Sequence, residues 1–230
     1  MYAAVYKRLL ILLLVVSCWV PALGQDGRSW DNQLYLGNKI VFGRNKWNFS
    51  GEIQTRLRNN LQSLDNWYVE FVATYMAGKH FEIVPDLRYS VKPTKLELRP
   101  GIGVLYKLNI RQIQFVNQVK YQFDLPTSGP SGHALREVVF LNHRFSDQLI
   151  GTMVGGFIYR WWPHWNGFQY IRVGPGLIYV FDRKHSLSFS YFVGVENNTE
   201  TWLWAGIPVI QLSINISQPY EYTPAYYFNF

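Results

Sequence analysis

Apolar and polar residues alternate with a period of two through most of this chain, and no other feature of the sequence constrains the fold as strongly. The segment WNFSGEIQTRLR, Trp47–Arg58, places Phe49 and Ile53 on one face and Glu52 and Arg56 on the other. Successive side chains of a β-strand point to opposite faces, so the pattern predicts a strand with one apolar and one polar face. A helix would mix the two sets around its axis, and we therefore predict an all-β fold.

The same alternation recurs along the chain between short turn signals such as GRNK at 43–46 and DRKH at 182–185. It predicts an antiparallel up-and-down barrel of about twelve strands, with ten as the alternative count. We see no helix, linker or repeat, and so predict a single domain over residues 25–230. The predicted strands are 31–42, 47–58, 67–76, 81–91, 95–106, 110–122, 135–145, 149–160, 168–181, 186–196, 201–217 and 220–230.

The amino-terminal segment, residues 1–24, has the order of a secretory signal peptide. Lys7 and Arg8 precede an apolar run, and small residues lead up to a cleavage site between Gly24 and Gln25. The apolar run is shorter than the roughly 20 residues that cross a bilayer as a helix. The segment therefore predicts export followed by cleavage.

Cys18 is the only cysteine of the chain, and it lies inside this segment. The sequence VVSC around it also fits a bacterial lipoprotein cleavage site, which leaves lipidation at Cys18 as an alternative. Cleavage before Gln25 would leave a mature chain without cysteine. Such a chain has no disulfide framework and no cysteine-based zinc site.

Alternation alone allows two barrels, because the apolar face can point inward or outward. A secreted soluble barrel would bury that face and bind an apolar ligand, whereas a transmembrane barrel would turn it toward lipid. A twelve-strand barrel with an apolar interior would enclose a large space with little to fill it, since small soluble barrels usually stop near eight strands. The polar face also carries opposite charges that can neutralise one another, and we therefore favour a transmembrane barrel in the bacterial outer membrane.

The acidic and basic residues of the polar face are predicted to line the lumen and to hold it largely closed. We expect this lumen charge network to comprise Glu52, Arg56, Glu82, Asp86, Arg88, Glu97, Arg99 and Arg136, with the four arginines paired to the four acids. By the same alternation, four further charged residues face the lumen: Glu70, Lys120, Arg160 and Glu196. Aromatic residues near strand ends, Tyr170 among them, are predicted to form girdles at the two lipid–water boundaries.

The last predicted strand, YEYTPAYYFNF at 220–230, closes the barrel in this interpretation by pairing with the first. With an even number of strands, both termini lie on the periplasmic side. Tyr226, Phe228 and Phe230 would face lipid. This pattern resembles the terminal assembly signal of bacterial outer-membrane barrels, which implies the barrel assembly machinery as a partner, with outer-membrane lipid and lipopolysaccharide as the surroundings.

The run from about Trp47 to Tyr106 carries a resemblance to a known family. GEIQTRLRNN, DNWYVEF and HFEIVPDLRYSV resemble the bacterial family catalogued as domain of unknown function 2490. The resemblance implies an outer-membrane barrel. It implies no catalytic residues, because that family brings no established chemistry.

Catalytic and cofactor signals are weak in this sequence. His143 and Ser146 in NHRFSD are the candidate pair for an outer-membrane lipid-modifying enzyme, although alternation makes His143 an interfacial ring. The histidines form no ligand pair, so no metal and no cofactor is predicted, and a net charge of +7 spread along the chain does not favour nucleic acid. We predict a non-enzymatic barrel that acts as a small pore or a structural component.

Overall fold

The computed structural model describes residues 30–181, 185–197 and 201–216. The chain divides into Met1–Trp30 and Asp31–Phe230, and the barrel strands β2–β12 belong to the second unit. Among the described residues, no helix is long and apolar enough to cross a membrane. The strands of the described residues are β1 Trp30–Asn32, β2 Leu34–Arg44, β3 Trp47–Arg58, β4 Ser63–Met76, β5 Phe81–Lys92, β6 Lys95–Ile110, β7 Ile113–Pro126, β8 Gly132–Arg144, β9 Leu149–Trp162, β10 Trp165–Val180, β11 His185–Asn197 and β12 Trp202–Asn215.

Strands β2 to β12 form a closed all-β barrel. Each strand pairs antiparallel with its neighbour in sequence, and β12 pairs with β2 to close the ring. The short strand β1 lies beside β12, outside the ring of eleven. The predicted barrel fold is confirmed.

The closing pair differs from the prediction, because β12 and β2 run parallel. Their register extends from Val209 opposite Tyr35 to Asn215 opposite Val41. Neighbours in an up-and-down barrel alternate in direction, so the first and last of eleven strands run the same way. Within the described residues the closing role therefore falls to β12.

The odd strand count also sets where the chain enters and leaves the barrel. We call end A the end that holds the connections β2–β3, β4–β5, β6–β7, β8–β9 and β10–β11, and end B the opposite end. Strand β2 starts at end B and β12 finishes at end A. The free ends of β2 and β12 therefore lie at opposite ends of the barrel. The two chain termini, which we expect on one side, lie outside the described residues.

Several predictions concern residues outside the described ranges. These are the signal peptide 1–24, the cleavage site at Gly24 and Gln25, the alternative lipidation of Cys18, and the terminal strand 220–230. The proposed assembly signal, Tyr226, Phe228 and Phe230, belongs to that strand. All of them stay predictions.

The polar face of the alternating pattern points inward, as predicted. In β5, Glu82 is 0% exposed, whereas the preceding Phe81 is 52% exposed. The same alternation continues with Asp86 and Arg88 buried and Leu87 exposed between them. A soluble barrel would show the reverse arrangement, with its apolar face buried.

The interior is not polar on every side, which corrects the prediction of a polar lumen. Most of the buried charged residues lie on strands β3–β7, which we call the charged wall, and most of the buried apolar residues lie on β8–β12, which we call the apolar wall. Strand β9 shows why the sequence did not predict the apolar wall. Met153 points outward and the following Val154 is fully buried, so both faces of the strand are apolar. The buried residues of the apolar wall include Ala134, Val138, Phe140, Ile150, Val154, Ile158, Ile178, Phe192, Ala205, Ile207 and Val209.

Aromatic rings pair on the outer surface near both ends of the barrel. Trp47 and Tyr75 have ring centroids 4.8 Å apart near end A. Tyr159 and Trp161 show the same separation near end B. These contacts agree with the predicted girdles.

Tyr170 was assigned to a girdle and is instead buried in the lumen. The pairing of β10 with β9 shifts register between Phe168 and Tyr170. Phe168 stays exposed on the outer surface. A bulge inserts one extra residue and so reverses the face to which the following side chains point. Tyr170 therefore points into the lumen, although its place near a strand end predicted a girdle position.

Candidate functional site in the barrel lumen

Four charged side chains meet at the centre of the charged wall. The Lys120 ammonium lies 2.6 Å from the Asp86 carboxylate and 3.4 Å from Glu70. The Arg88 guanidinium lies 3.0 Å from the same Glu70 carboxylate. Gly101 leaves the space for this cluster, since a Cβ there would lie 2.7 Å from Lys120 Cε and 3.0 Å from the Asp86 oxygens.

A separate ion pair lies toward end A. The Lys107 ammonium donates to Glu82 Oε1 at 2.8 Å, and the two side chains are 6% and 1% exposed. Such low exposure shows that this pair also sits away from water.

A third cluster lies toward end B. Lys92 Nζ contacts Glu97 at 2.8 Å, and Arg99 pairs with Glu97 and, at 2.6 Å through Nε, with Asp124. Arg160 also pairs with Asp124. The cluster links strands β5, β6, β7 and β9 across this end of the lumen.

Polar contacts also bridge the parallel closure. Gln211 on β12 donates to Glu52 on β3 at 2.8 Å and thereby spans the intervening strand β2. The Tyr68 hydroxyl donates to the other oxygen of Glu52 at 3.1 Å. Gly37 on β2 lies beneath this bridge. A Cβ at that position would lie 3.5 Å from Gln211 Cγ, which is an ordinary van der Waals contact.

Guanidinium groups and tyrosine rings alternate along the wall toward the closure. Arg88 Cζ lies 3.9 Å from the centre of the Tyr68 ring. Arg56 contacts the same ring at 5.2 Å and the Tyr35 ring at 4.3 Å. Such stacks hold the cations against the electron-rich ring faces.

Arg172 on β10 continues the stack beyond Tyr35. Its guanidinium lies 5.6 Å from the Tyr35 ring and 4.0 Å from the Tyr170 ring, and it pairs with Glu196 on β11. Gly194 on β11 lies directly opposite Arg172. A Cβ at that position would lie 2.6 Å from Arg172 Cγ, so the glycine lets the side chain cross β11.

All eight residues of the predicted lumen charge network face the interior, yet only one predicted arginine–acid pair is present among them, Arg99 with Glu97. Arg88 instead pairs with Glu70, its direct cross-strand neighbour on β4. The predicted acids Asp86 and Glu82 pair with Lys120 and Lys107, while Glu52 bonds to Gln211 and Tyr68.

Arg56 and Arg136 differ from the other predicted residues. Arg56 donates from Nε to Gln54 at 2.7 Å, and Arg136 donates from Nη2 to Gln118 at 3.1 Å. Neither forms an ion pair with a carboxylate of the described residues. Their hydrogen-bond partners are the neutral side-chain amides of Gln54 and Gln118.

Some interior residues were not anticipated, namely Lys107, Asp124, Arg172 and the three stacked tyrosines. The alternating pattern could have placed Tyr68 in the lumen, because it shares a face with Glu70 two residues later. For Tyr170 and Arg172 the pattern was not informative, because the bulge in β10 reverses the faces of the strand.

The candidate Ser–His pair is not assembled. The His143 ring packs against the Phe145 ring at a centroid distance of 4.8 Å, while Ser146 Oγ accepts from the backbone amides of Gln148 and Leu149 at 3.3 and 3.1 Å. Ser146 thus stabilises its own turn. In the part of the chain that the structure describes, no group of three His, Cys, Asp or Glu residues is placed to hold a metal ion.

Comparison with known proteins gives a likeness in fold only. No family model matches the sequence, and no curated protein is similar to it in sequence. NanC porin in a rhombohedral crystal form is similar with a TM-score of 0.50 at 9% identity, over 74% of this chain and 89% of that chain. KdgM porin is similar with a TM-score of 0.43 at 14% identity, over 75% and 94% of the two chains.

A structure of KdgM porin in complex with disordered oligogalacturonate is also similar, with a TM-score of 0.45 at 16% identity over 76% and 93% of the two chains. The likeness to NanC porin shows a shared barrel fold. The resemblance to the family of unknown function 2490 stays a prediction.

Proposed function

We propose that this protein is a bacterial outer-membrane β-barrel whose lumen is closed by its own side chains, so that it conducts small solutes poorly. The observation that carries the proposal is the burial of the central ion pairs. The side chains of Lys120, Glu70 and Asp86 are 4%, 1% and 1% exposed.

A lumen open to water would hydrate these charges, and their exposure would be high. Instead each charge is compensated by a neighbour on another strand, as Lys120 on β7 is by Glu70 on β4. The apolar wall occupies the other side of the interior. Small barrels are commonly filled by side chains in this way.

The outer surface supports a membrane location. Phe71, Ile102 and Val173 are between 55% and 64% exposed, and they belong to a belt of exposed apolar residues around the barrel. Soluble proteins rarely expose a continuous apolar surface of this extent. The fold likeness to NanC porin supports the same location.

The two alternative functions have less support. A soluble barrel for an apolar ligand requires a polar exterior, whereas this exterior is apolar. A lipid-modifying enzyme built on Ser146 requires a base within hydrogen-bond reach, and His143 contacts Phe145 instead. Export by the segment 1–24, contact with outer-membrane lipid and lipopolysaccharide, and insertion by the barrel assembly machinery all belong to this proposal.

Planar-bilayer recording tests the proposal. We expect the wild-type barrel to show no large, stable openings, and the double variant Lys120→Ala, Asp86→Ala to conduct more, because it removes two side chains that fill the centre. Lys79→Ala, in the exposed β4–β5 connection, is the matched control and should behave like the wild type. Large and stable wild-type openings would overturn the proposal.

A further inference from the structure

One charged side chain interrupts the apolar outer surface of the barrel. Glu137 on β8 lies between the buried residues Arg136 and Val138 and so points outward. Its direct neighbours on the adjacent strands are Val119 on β7 and Phe157 on β9. Within the described residues, every other charged side chain of β2–β12 faces the lumen or lies within three residues of a strand end.

The Glu137 carboxyl group lies near the middle of the membrane-facing wall. Strand β8 runs from Gly132 to Arg144, and Glu137 is the sixth of its 13 residues. At about 3.3 Å per residue and a tilt of about 45°, it lies at least about 11 Å along the barrel axis from either end of the strand. An ionisable group at that depth is costly, because hydrocarbon offers it no hydrogen bond. Such residues are rare within membranes and usually mark a functional contact.

Asn117 on β7 also points outward and satisfies only part of this carboxyl group. Its Nδ2 donates a hydrogen bond to Glu137 Oε1 at 2.9 Å. This is the one hydrogen bond of either side chain within the described residues. Glu137 Oε2, Asn117 Oδ1 and the second amide hydrogen of Asn117 are therefore available to a neighbour on the outside of the barrel.

The Glu137–Asn117 pair is complementary to itself. A two-fold axis along the membrane normal keeps two barrels in the same orientation and exchanges left and right across their contact. Glu137 of one copy then lies opposite Asn117 of the other copy, and the reverse, which is the arrangement of an isologous interface. Each Asn117 can donate its second amide hydrogen to Glu137 Oε2 of the other copy, so both pairs gain the hydrogen bond that lipid cannot provide.

The surface beside the pair permits a close approach. Gly155 on β9 faces outward between Val139 on β8 and Val173 on β10. The nearest atom to a Cβ at Gly155 would be 3.8 Å away, so the absence of a side chain leaves a shallow depression. Glycine in a strand often marks a place where another backbone comes close.

We propose that Glu137 and Asn117 form the centre of an interface with a second copy of this chain, so that the barrel is a dimer in the membrane. The proposal rests on the proposed membrane location and names the partner that the outer wall meets there. A lipid chain supplies neither the donor nor the acceptor that the pair lacks, whereas an identical pair supplies both.

Analytical ultracentrifugation of the folded barrel in detergent tests the interface. We expect the wild type to be a dimer. Glu137→Leu should raise the dimer dissociation constant at least about tenfold, because each dimer loses two hydrogen bonds. Glu137→Gln keeps a side chain that can bond to an amide and should remain dimeric. Asn38→Leu, also a polar-to-apolar change on the outer face but on β2, is the matched control and should behave like the wild type.

Cross-linking in membranes gives a second measurement without detergent. Val139→Cys, directly opposite Asn117, in a Cys18→Ser background should yield a dimer with a short bifunctional maleimide, while Ile53→Cys on the outer face of β3 should not. Heat-modifiable gel mobility checks the folding of each variant. If Glu137→Leu fails to fold, Asn117→Leu removes the other half of the pair and should weaken the dimer in the same way.

A membrane-embedded wild type that is monomeric and is not cross-linked overturns the proposal. Glu137→Leu protein that is as dimeric as the wild type overturns it as well. Resistance of the wild type to carbonate extraction is measured in parallel, because protein released by carbonate would overturn the membrane location itself. The two proposals therefore fail separately.

Discussion

Arg172 on β10 donates a hydrogen bond to the Tyr35 hydroxyl on β2 at 3.1 Å and thereby spans β11, β12 and the parallel closure. The same guanidinium pairs with Glu196 on β11. Parallel pairing is slightly less stable per residue than antiparallel pairing. A buried side-chain contact across the closure therefore reinforces the weakest type of strand pair in the barrel.

Removing this contact should destabilise the barrel. We expect Arg172→Met, which keeps the apolar stem, to lower the free energy of unfolding by about 1.5–3 kcal/mol, because a hydrogen-bonded charge is lost. Tyr35→Phe removes only the hydroxyl and should cost about 0.5–1.5 kcal/mol. Urea unfolding in detergent, followed by tryptophan fluorescence, measures both, and equal stability of Arg172→Met and the wild type would contradict the role of the contact.

Gly194 should also be intolerant of a side chain. A Cβ there would collide with the backbone oxygen of Ile171 and would lie 2.6 Å from Arg172 Cγ, so both the β10 backbone and the Arg172 side chain would have to move. We expect Gly194→Ala to be at least as destabilising as Arg172→Met in the same unfolding experiment. Gly78→Ala is the matched control, because nothing lies within 4 Å of a Cβ at that position, and it should leave stability near that of the wild type.

The buried Glu70 carboxylate should contribute far more to stability than an exposed one. Glu70 pairs with both Arg88 and Lys120. Glu70→Gln therefore removes this negative charge from two buried cations in the lumen. Breaking a buried pair costs about 3–5 kcal/mol. Asp65→Asn removes a carboxylate from an exposed pair with Arg58, whose side chains are 33% and 50% exposed, and should cost at most about 1 kcal/mol. Similar losses for the two variants would show that the central cluster is well hydrated.

Alternation in the sequence was enough to predict the strands and the inward face wherever the period of two is unbroken. Strand β5 is the clearest case, since Glu82, Asp86 and Arg88 all face the lumen. The pattern could not predict the position of Tyr170, because a bulge in β10 reverses the faces. Nor could it predict the apolar wall, because strands such as β9 are apolar on both faces.

Ion-pair partners were the least predictable feature of the site. Alternation predicts the face on which a charged residue lies but not its position along the barrel axis relative to residues of other strands. Arg88 pairs with Glu70 because the register of β4 and β5 sets these two residues opposite each other. Lys120 reaches Glu70 from three strands away, which depends on curvature of the closed sheet and not on any local pattern.

The parallel closure can be tested directly by cross-linking. Leu36 and Ile210 are partners in the register of β2 and β12, and both are exposed on the outer surface. Cysteines at the two positions, in a Cys18→Ser background without other cysteines, should form a disulfide on mild oxidation. The reason is that adjacent strands lie about 4.8 Å apart and a disulfide needs Cα atoms within about 7 Å.

The pair Leu36→Cys with Ile214→Cys is the matched control. Ile214 lies opposite Ile40, four residues further along β2, so its Cα is about 13 Å from that of residue 36 and should not cross-link. Non-reducing gel mobility of the folded barrel reads out both pairs. If residues 220–230 close the barrel between β12 and β2, as the sequence predicts, one strand separates residues 36 and 210 by about 10 Å and the first pair also stays uncrosslinked. A cross-link in the first pair alone would establish closure by eleven strands and leave the terminal segment free of that role.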